Sequence, residues 1–178
     1  IEWLIIDGSN KKSQIKNSYL IKEYIRNDNL LIKHINSKNL KLKGIYPCMN
    51  FGKEISRGGF MIFLNSGDVF FNKNSLSILF ENSFNLKNNS GVVFGQANII
   101  ARSNLSWNFP GHRLNNIRNW LSLFEPNHQS MLVSNSLAKK YDFPLEYGSL
   151  GDGYWKRKIL NNAIDIIYIR SDSLHPIL

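Results

Sequence analysis

The stretch 59–68, GFMIFLNSGD, constrains the fold more than any other part of the chain. Phe60 to Leu64 are apolar without a break, and Asn65-Ser66-Gly67-Asp68 follow at once. An unbroken apolar run of strand length, bounded by glycine, predicts a strand covered on both faces, as in the middle of an α/β sheet. The four residues after it supply a sharp turn. Ligands of open α/β sheets collect just outside the carboxyl ends of the strands. A carboxylate carried there offers the hard oxygen that suits a divalent cation. The same four residues also suit a plain Asx-type turn, so the stretch taken alone leaves both readings open.

The rest of the chain alternates strand-like and helix-like segments around it. Residues 2–6 form a short apolar strand that ends in Asp7-Gly8-Ser9-Asn10, a second strand end bearing an aspartate. Ser13 is placed to cap a helix over 14–26, in which Leu20/Tyr24 and Ile21/Ile25 are i,i+4 apolar pairs. Asp28-Asn29 breaks that helix, and 30–35 reads as the next strand. Pro47 suits the first turn of a helix whose apolar face is Cys48, Phe51, Gly52 and Ile55. Leu76, Leu79, Phe80 and Phe84 form a further helical stripe after Asn74 or Ser75. The Val- and Ile-rich segment 91–101 predicts a strand that pairs with 105–109 across residues 102–104. A strand at 130–133, a short helix at 136–141, a basic helix at 154–161 and a strand at 164–169 complete the chain. Strand–helix–strand order in the first half predicts βαβ units and a largely parallel sheet, with Asp7 and Asp68 on one edge of it.

Composition narrows the class. At 178 residues, with 43% hydrophobic and 20% charged, the chain is the size of one soluble globular domain. No apolar run approaches the roughly 20 residues that span a bilayer. The chain opens at Ile1-Glu2-Trp3, inside a strand-like run, with neither a signal peptide nor an initiator Met, which points to an upstream segment. One cysteine, Cys48, excludes an internal disulfide framework and suits a reducing, cytoplasmic setting. The formal charge of +9 favours acidic partners such as phosphates or anionic lipid. Its lysines are scattered in an Asn- and Ile-rich background, and neither RNP-type strands nor Cys/His zinc spacing is present, so nucleic acid is not an expected partner. In 113–124, Trp120 and Phe124 share a face beside Arg113 and Arg118, which suggests peripheral contact at the inner face of the cell membrane.

Four words in the sequence resemble the family 2 glycosyltransferases of the GT-A fold, and more narrowly their colanic-acid-type polysaccharide branch. EWLIIDGSN is similar to that family's strand ending in an Asp-Gly-Ser turn. KGIYPCMNFGKEISRGGFMIFLNSGDVF resembles its Gly-Ile-Tyr word followed by a strand ending Leu-Asn-Ser-Gly-Asp. PNHQSMLV and GDGYWKRK resemble its His-Gln strand and its downstream aspartate.

The resemblance implies a Rossmann-like three-layer α/β sandwich with a mostly parallel central sheet, lacking the family's first strand and helix. It implies one domain over 1–178, with a nucleotide-sugar half at about 1–71 and an acceptor and catalytic half at about 91–178. The implied activity is inverting transfer of a sugar from a UDP-linked donor to a saccharide or lipid-linked acceptor in cell-surface polysaccharide synthesis. A non-catalytic nucleotide-sugar-binding remnant of the same fold is the alternative. Asp152 corresponds to the family's general base. Asp7, Gly8 and Ser9, with Lys43 and Gly44, correspond to nucleotide contacts. His128 and Gln129 fall on the acceptor or phosphate side, and Arg57 could also meet phosphate. Asp68, with Asn65 where many relatives carry a second acid, corresponds to the site for Mg²⁺ or Mn²⁺. Leu42 and Pro47 stand where relatives usually carry acids, and Lys11 and Lys12 lie near the place of another.

Overall fold

The structure is a computed structural model that describes residues 1–24, 30–87, 90–100, 105–109 and 126–169. The chain divides into two compact units, Ile1–Gly59 and Phe60–Leu178. Among the described residues, no helix is long and apolar enough to cross a membrane. The segment expected to meet a membrane surface, 113–124, lies outside the described residues, as does the break expected at Asp28-Asn29.

The first unit is built on a parallel pair, β1 (Glu2–Asp7) and β2 (Leu31–Asn36), in register from Glu2↔Leu31 to Asp7↔Asn36. Helix α1 (Lys11–Tyr24) lies between them in sequence, and α2 (Ile45–Ile55) follows β2. Helix α1 starts earlier than the sequence suggests. Asn10 Oδ1 accepts the Ser13 N–H at 3.0 Å, so Asn10 does the capping expected of Ser13. Its Leu20 and Tyr24 are exposed, and Ile21 is the residue this helix buries. Pro47 falls in the first turn of α2 as expected, but the buried stations of that helix are Met49 and Lys53. Cys48, Phe51, Gly52 and Ile55 are only half-buried.

The second unit contains β3 (Phe60–Met61), α3 (Ser75–Ser83), β4 (Gly91–Phe94), β5 (Ala97–Ile100), β6 (Ser106–Phe109), β7 (Met131–Ser134), α4 (Asn135–Lys140), α5 (Gly151–Asn162) and β8 (Asp165–Tyr168). Four strands form one sheet in the order β3-β7-β4-β8, while β5 and β6 make a separate antiparallel hairpin. Within the sheet β4 and β8 are parallel, but β7 runs antiparallel to both β3 and β4. The mostly parallel sheet expected from the sequence is therefore corrected to small, mixed sheets. Because β1 and β3 belong to different sheets, Asp7 and Asp68 do not end strands of one sheet. The hairpin pairing of 97–100 with 106–109 follows the expectation, although Gly95-Gln96 interrupt what was read as one long strand.

The apolar run after Gly59 is only partly a strand. Phe60 and Met61 pair with Ser134 and Val133, and the ladder stops there. The run still finds apolar partners for successive side chains. Phe60 and Ile62 pack on the cluster of Leu79, Leu86, Val93 and Leu132. Phe63 meets Phe143 and Trp155 edge-on at 5.2 and 5.6 Å, and those two rings stack at 4.4 Å. Trp155 is fully buried and donates its Nε1–H to the Tyr141 carbonyl at 3.0 Å. Such aromatic burial is a large apolar contribution, and it fixes α5 on the run that leads to Asp68. On α3 the buried line is Ser75, Leu79 and Ser83, whereas Phe80 and Phe84 face outward and touch each other.

Candidate active site

Residues 65–68 form the expected turn. The Asp68 N–H donates to the Asn65 carbonyl at 3.1 Å, and Gly67 takes φ 101°, a left-handed conformation that glycine adopts without cost. This presents Asp68 on an exposed corner of the second unit.

Facing that corner is a short 3₁₀ turn, His128–Ser130, which leads into β7. Asn127 caps it by accepting the Gln129 N–H at 2.9 Å. Ser130 is fully buried and ties the turn to the end of β4: its hydroxyl lies 3.0 Å from the Gly95 carbonyl, and the Gly95 N–H donates to Ser130 O at 3.2 Å. From this fixed turn two neighbouring side chains reach two different acids. The Gln129 amide donates to the Asp68 carboxylate. His128 Nδ1 lies 3.2 Å from Asp152 Oδ2. An ionised carboxylate only accepts, so the proton of that bond sits on Nδ1. The other ring nitrogen, Nε2, stands 3.5 Å from Asn65 Nδ2, the outer limit of a hydrogen bond.

Asp152 sits in the first turn of α5, after Leu150 as the N-cap, so it is a helical residue and not the cap itself. The His128 hydrogen bond holds its carboxyl down at about 2, against the opposing effect of burial, with Lys156 adding to the lowering. Lys156 lies one turn on, its Nζ 3.9 Å from Asp152. The helix N-terminus favours the same charged form. Asp152 is thus an ionised carboxylate at neutral pH, with its side chain 27% exposed. Asn65, Asp68, His128, Gln129 and Asp152, five residues singled out from the sequence, form one connected cluster. Lys156 was missed, although a basic residue four positions after a helical acid is a readable signal.

A metal at this cluster would have to draw on other oxygens. Among the described residues, no group of three or more His, Cys, Asp or Glu is arranged to hold an ion. The donors present fit Mg²⁺ or Mn²⁺ only in the mode where one carboxylate, Asp68, and a carboxamide, Asn65, share the ion with ligand phosphates and water.

In the first unit Asp7 behaves differently. It is buried, and its Oδ1 accepts the Ser9 N–H at 2.8 Å while Oδ2 accepts from Asn17 Nδ2 and His34 Nε2, each at 2.9 Å. Burial pushes this carboxyl up, but those donors outweigh it and leave it well below the usual carboxylate range. Gln14 adds bonds to the Asp7 and Ser9 carbonyls. Asp7 and Ser9 are thus brought together with Gln14, Asn17 and His34, three residues that sequence reasoning did not pick. Gly8 lies exposed within the same turn. Lys43 and Gly44 are exposed at the entrance to α2, where Gly44 is the N-cap with φ 93°. No hydrogen bond among the described residues links either to Asp7. A groove of about 510 Å³ in this unit runs past the start of α1 and the end of β2, with Lys11, Lys38, Gln14 and Asn36 in its walls.

The chain is a mixed α/β fold. It is similar to the crystal structure of S. aureus TarS 1-349, with a TM-score of 0.70 and 19% identity over 98% of this chain. The match covers 50% of that chain, so the protein described here spans about half the length of TarS 1-349. At this identity the likeness concerns the fold alone. No protein-family model matches the sequence, and no curated protein matches it.

Proposed function

We propose that the chain is an inverting glycosyltransferase that moves a sugar from a UDP-linked donor to a hydroxyl of a saccharide or lipid-linked acceptor in cell-surface polysaccharide synthesis. The observation that carries this reading is the cluster in the second unit, where one turn holds both Asp68 and Asp152. The fold likeness to TarS 1-349 and the four sequence words that resemble glycosyltransferases support it. In this reading Asp152 is the general base. Its ionised carboxylate accepts the proton of the acceptor hydroxyl as that oxygen attacks the anomeric carbon, and the nucleoside diphosphate departs from the opposite face. A base of low intrinsic basicity suffices because the hydroxyl becomes acidic only as the new C–O bond forms. Asp68 and Asn65 would hold Mg²⁺ or Mn²⁺ together with the diphosphate, and the ion would offset charge on the leaving group. Asp7, Gly8 and Ser9, with Lys43 and Gly44, serve nucleotide recognition in the first unit. Because three donors already occupy Asp7, its part is to fix the Gly8-Ser9 turn.

The same saturation of Asp7 favours a second reading, a nucleotide-sugar-binding remnant without turnover. One experiment separates them: release of UDP from a panel of UDP-sugars by the full-length protein, with Mg²⁺ or Mn²⁺ and with chelator, beside calorimetric binding of UDP. Metal-dependent release that falls at least about 100-fold in Asp68→Ala is the expected result, in line with the loss of preorganised charge stabilisation. Undiminished release in that variant would remove Asp68 from the site. UDP binding without any turnover would leave the second reading standing, and neither binding nor turnover would end both.

A further inference from the structure

We propose that the His128-Gln129 pair does not act on substrate but is a two-pronged clamp, with His128 the positioning residue for Asp152 and Gln129 the positioning residue for Asp68. This rests on the transferase reading of those two acids and changes the role given to the pair, which the sequence places on the acceptor or phosphate side.

The geometry carries the assignment. Both side chains are about nine-tenths buried, His128 at 9% exposure and Gln129 at 8%, which leaves little surface for a ligand. Each already spends a donor on an acid: Nδ1 of His128 on Asp152 at 3.2 Å, and the Gln129 amide on Asp68. Consecutive residues normally diverge, and here that divergence is used. One prong reaches the turn after β3, and the other reaches the first turn of α5. The turn that bears them is held by the Asn127 cap and by the two bonds between Ser130 and Gly95. The base and the phosphate-side acid are therefore referenced to one rigid point in the sheet, between elements far apart in the chain. Reacting groups must be held within fractions of an ångström of their working geometry, and supporting residues with locked rotamers supply that precision.

Replacing a positioning donor lowers turnover without weakening donor binding, and a side chain that restores the donor restores the rate. Asparagine places its amide N–H near the position of the histidine Nδ1–H, whereas alanine removes it. The expected result for His128→Ala is a fall in kcat of about 10- to 100-fold, the range found when supporting partners of a site residue are lost. KM for the UDP-sugar should stay within about threefold, since uniform binding is untouched. His128→Asn should recover most of the loss. A second readout needs no turnover: a downfield Nδ1–H proton resonance of His128 in the full-length protein, retained in Gln129→Ala and lost in Asp152→Ala. If His128→Ala transfers sugar at the wild-type rate, or if His128→Asn is no better than alanine, the positioning role is overturned. The same holds if KM rises while kcat is kept, which would make His128 a substrate contact. A wild-type protein that never transfers sugar would instead overturn the transferase reading, and the proton resonance would then decide whether the clamp on Asp152 exists. Its absence in wild type would overturn the clamp even if His128→Ala failed to fold.

Discussion

Asp7→Asn is the most demanding prediction for the first unit, because the substitution keeps the shape of the side chain and removes only its charge and one acceptor. Asp7 is 6% exposed and accepts three hydrogen bonds, from Ser9 N, Asn17 Nδ2 and His34 Nε2. An asparagine can keep the Ser9 bond through its carbonyl. Its NH₂ must then face the donors of Asn17 and His34, so two bonds are lost and buried donors oppose each other. Hydrogen bonds to a charged group contribute about 1.5–3 kcal/mol each, so the loss comes to about 3 kcal/mol even with partial rescue by water. With a urea slope near 2 kcal/mol/M, the midpoint should fall by about 1.5 M. Amide exchange of the β1–β2 ladder should quicken by about 100-fold at the same loss if opening is local. The pH dependence has a definite sign. The folded carboxyl of Asp7 lies below its unfolded value, so its stabilisation is full above the ordinary carboxylate range and is lost as pH falls through that range toward the folded value. The gap between wild type and Asp7→Asn should thus be constant from pH 7 down to about 5 and shrink below about 4, close to the unfolded carboxyl value. A variant within about 0.5 kcal/mol of wild type at pH 7, the noise level of surface substitutions, would refute the reasoning.

Two further substitutions test the second unit. A Cβ on Gly91 would stand 2.2 Å from the Asp165 carbonyl oxygen and 2.9 Å from Leu86 Cδ2, and that carbonyl belongs to the paired strand β8. Gly91→Ala must open the β4–β8 register, so a loss of about 3 kcal/mol is expected, at the upper end for overpacking, seen as a fall in Tm on the order of 9 °C; an unchanged Tm would mean the two strands do not approach this closely. Trp155→Ala empties the centre of the Phe63–Phe143–Trp155 cluster and should cost about 3–5 kcal/mol by urea unfolding. Trp155→Phe keeps the stack but gives up the bond to the Tyr141 carbonyl, and a loss as large as that of alanine would contradict the packing described.

What the sequence made legible was local. The strand end at Asp-Gly-Ser, the turn at Asn-Ser-Gly-Asp, the first-turn proline of α2 and the hairpin after Gly95 all rest on short-range backbone preferences, and they are present, whereas the strand expected to run up to Asn65 ends at Met61. Sheet direction was not legible, because β3, β7, β4 and β8 come from distant parts of the chain and the same apolar runs suit either direction. Helix faces were read wrongly where the partner was unknown: the aromatic residues Phe80 and Phe84 were assigned to the core, yet the buried line of α3 includes two serines. His34 illustrates the limit best. It shares the α1-facing side of the parallel pair with Asp7 only once the register Ile5↔His34 is known. Without that register it is one polar residue in a short strand.

Asp7, at a strand end, and Asp152, in the first turn of a helix, differ in a way only their surroundings reveal. A carboxylate has about four acceptor positions. In Asp7 three are filled from a turn, a helix and a strand of the same unit, and the side chain is 4% exposed. Such a group has its bonding capacity committed to holding β1, α1 and β2 together, and removing it should be read out as stability. Asp152 is 27% exposed, stays ionised, and is steadied by His128, Lys156 and the Gly153 backbone. That is the arrangement of a group kept oriented at a partly exposed position, and its removal should be read out as rate. Stability and rate are therefore expected to separate across the two units: Asp7→Asn lowers the urea midpoint, whereas His128→Ala lowers kcat. A chain in which Asp7→Asn abolished transfer with its midpoint intact would reverse the assignment and return Asp7 to direct nucleotide contact.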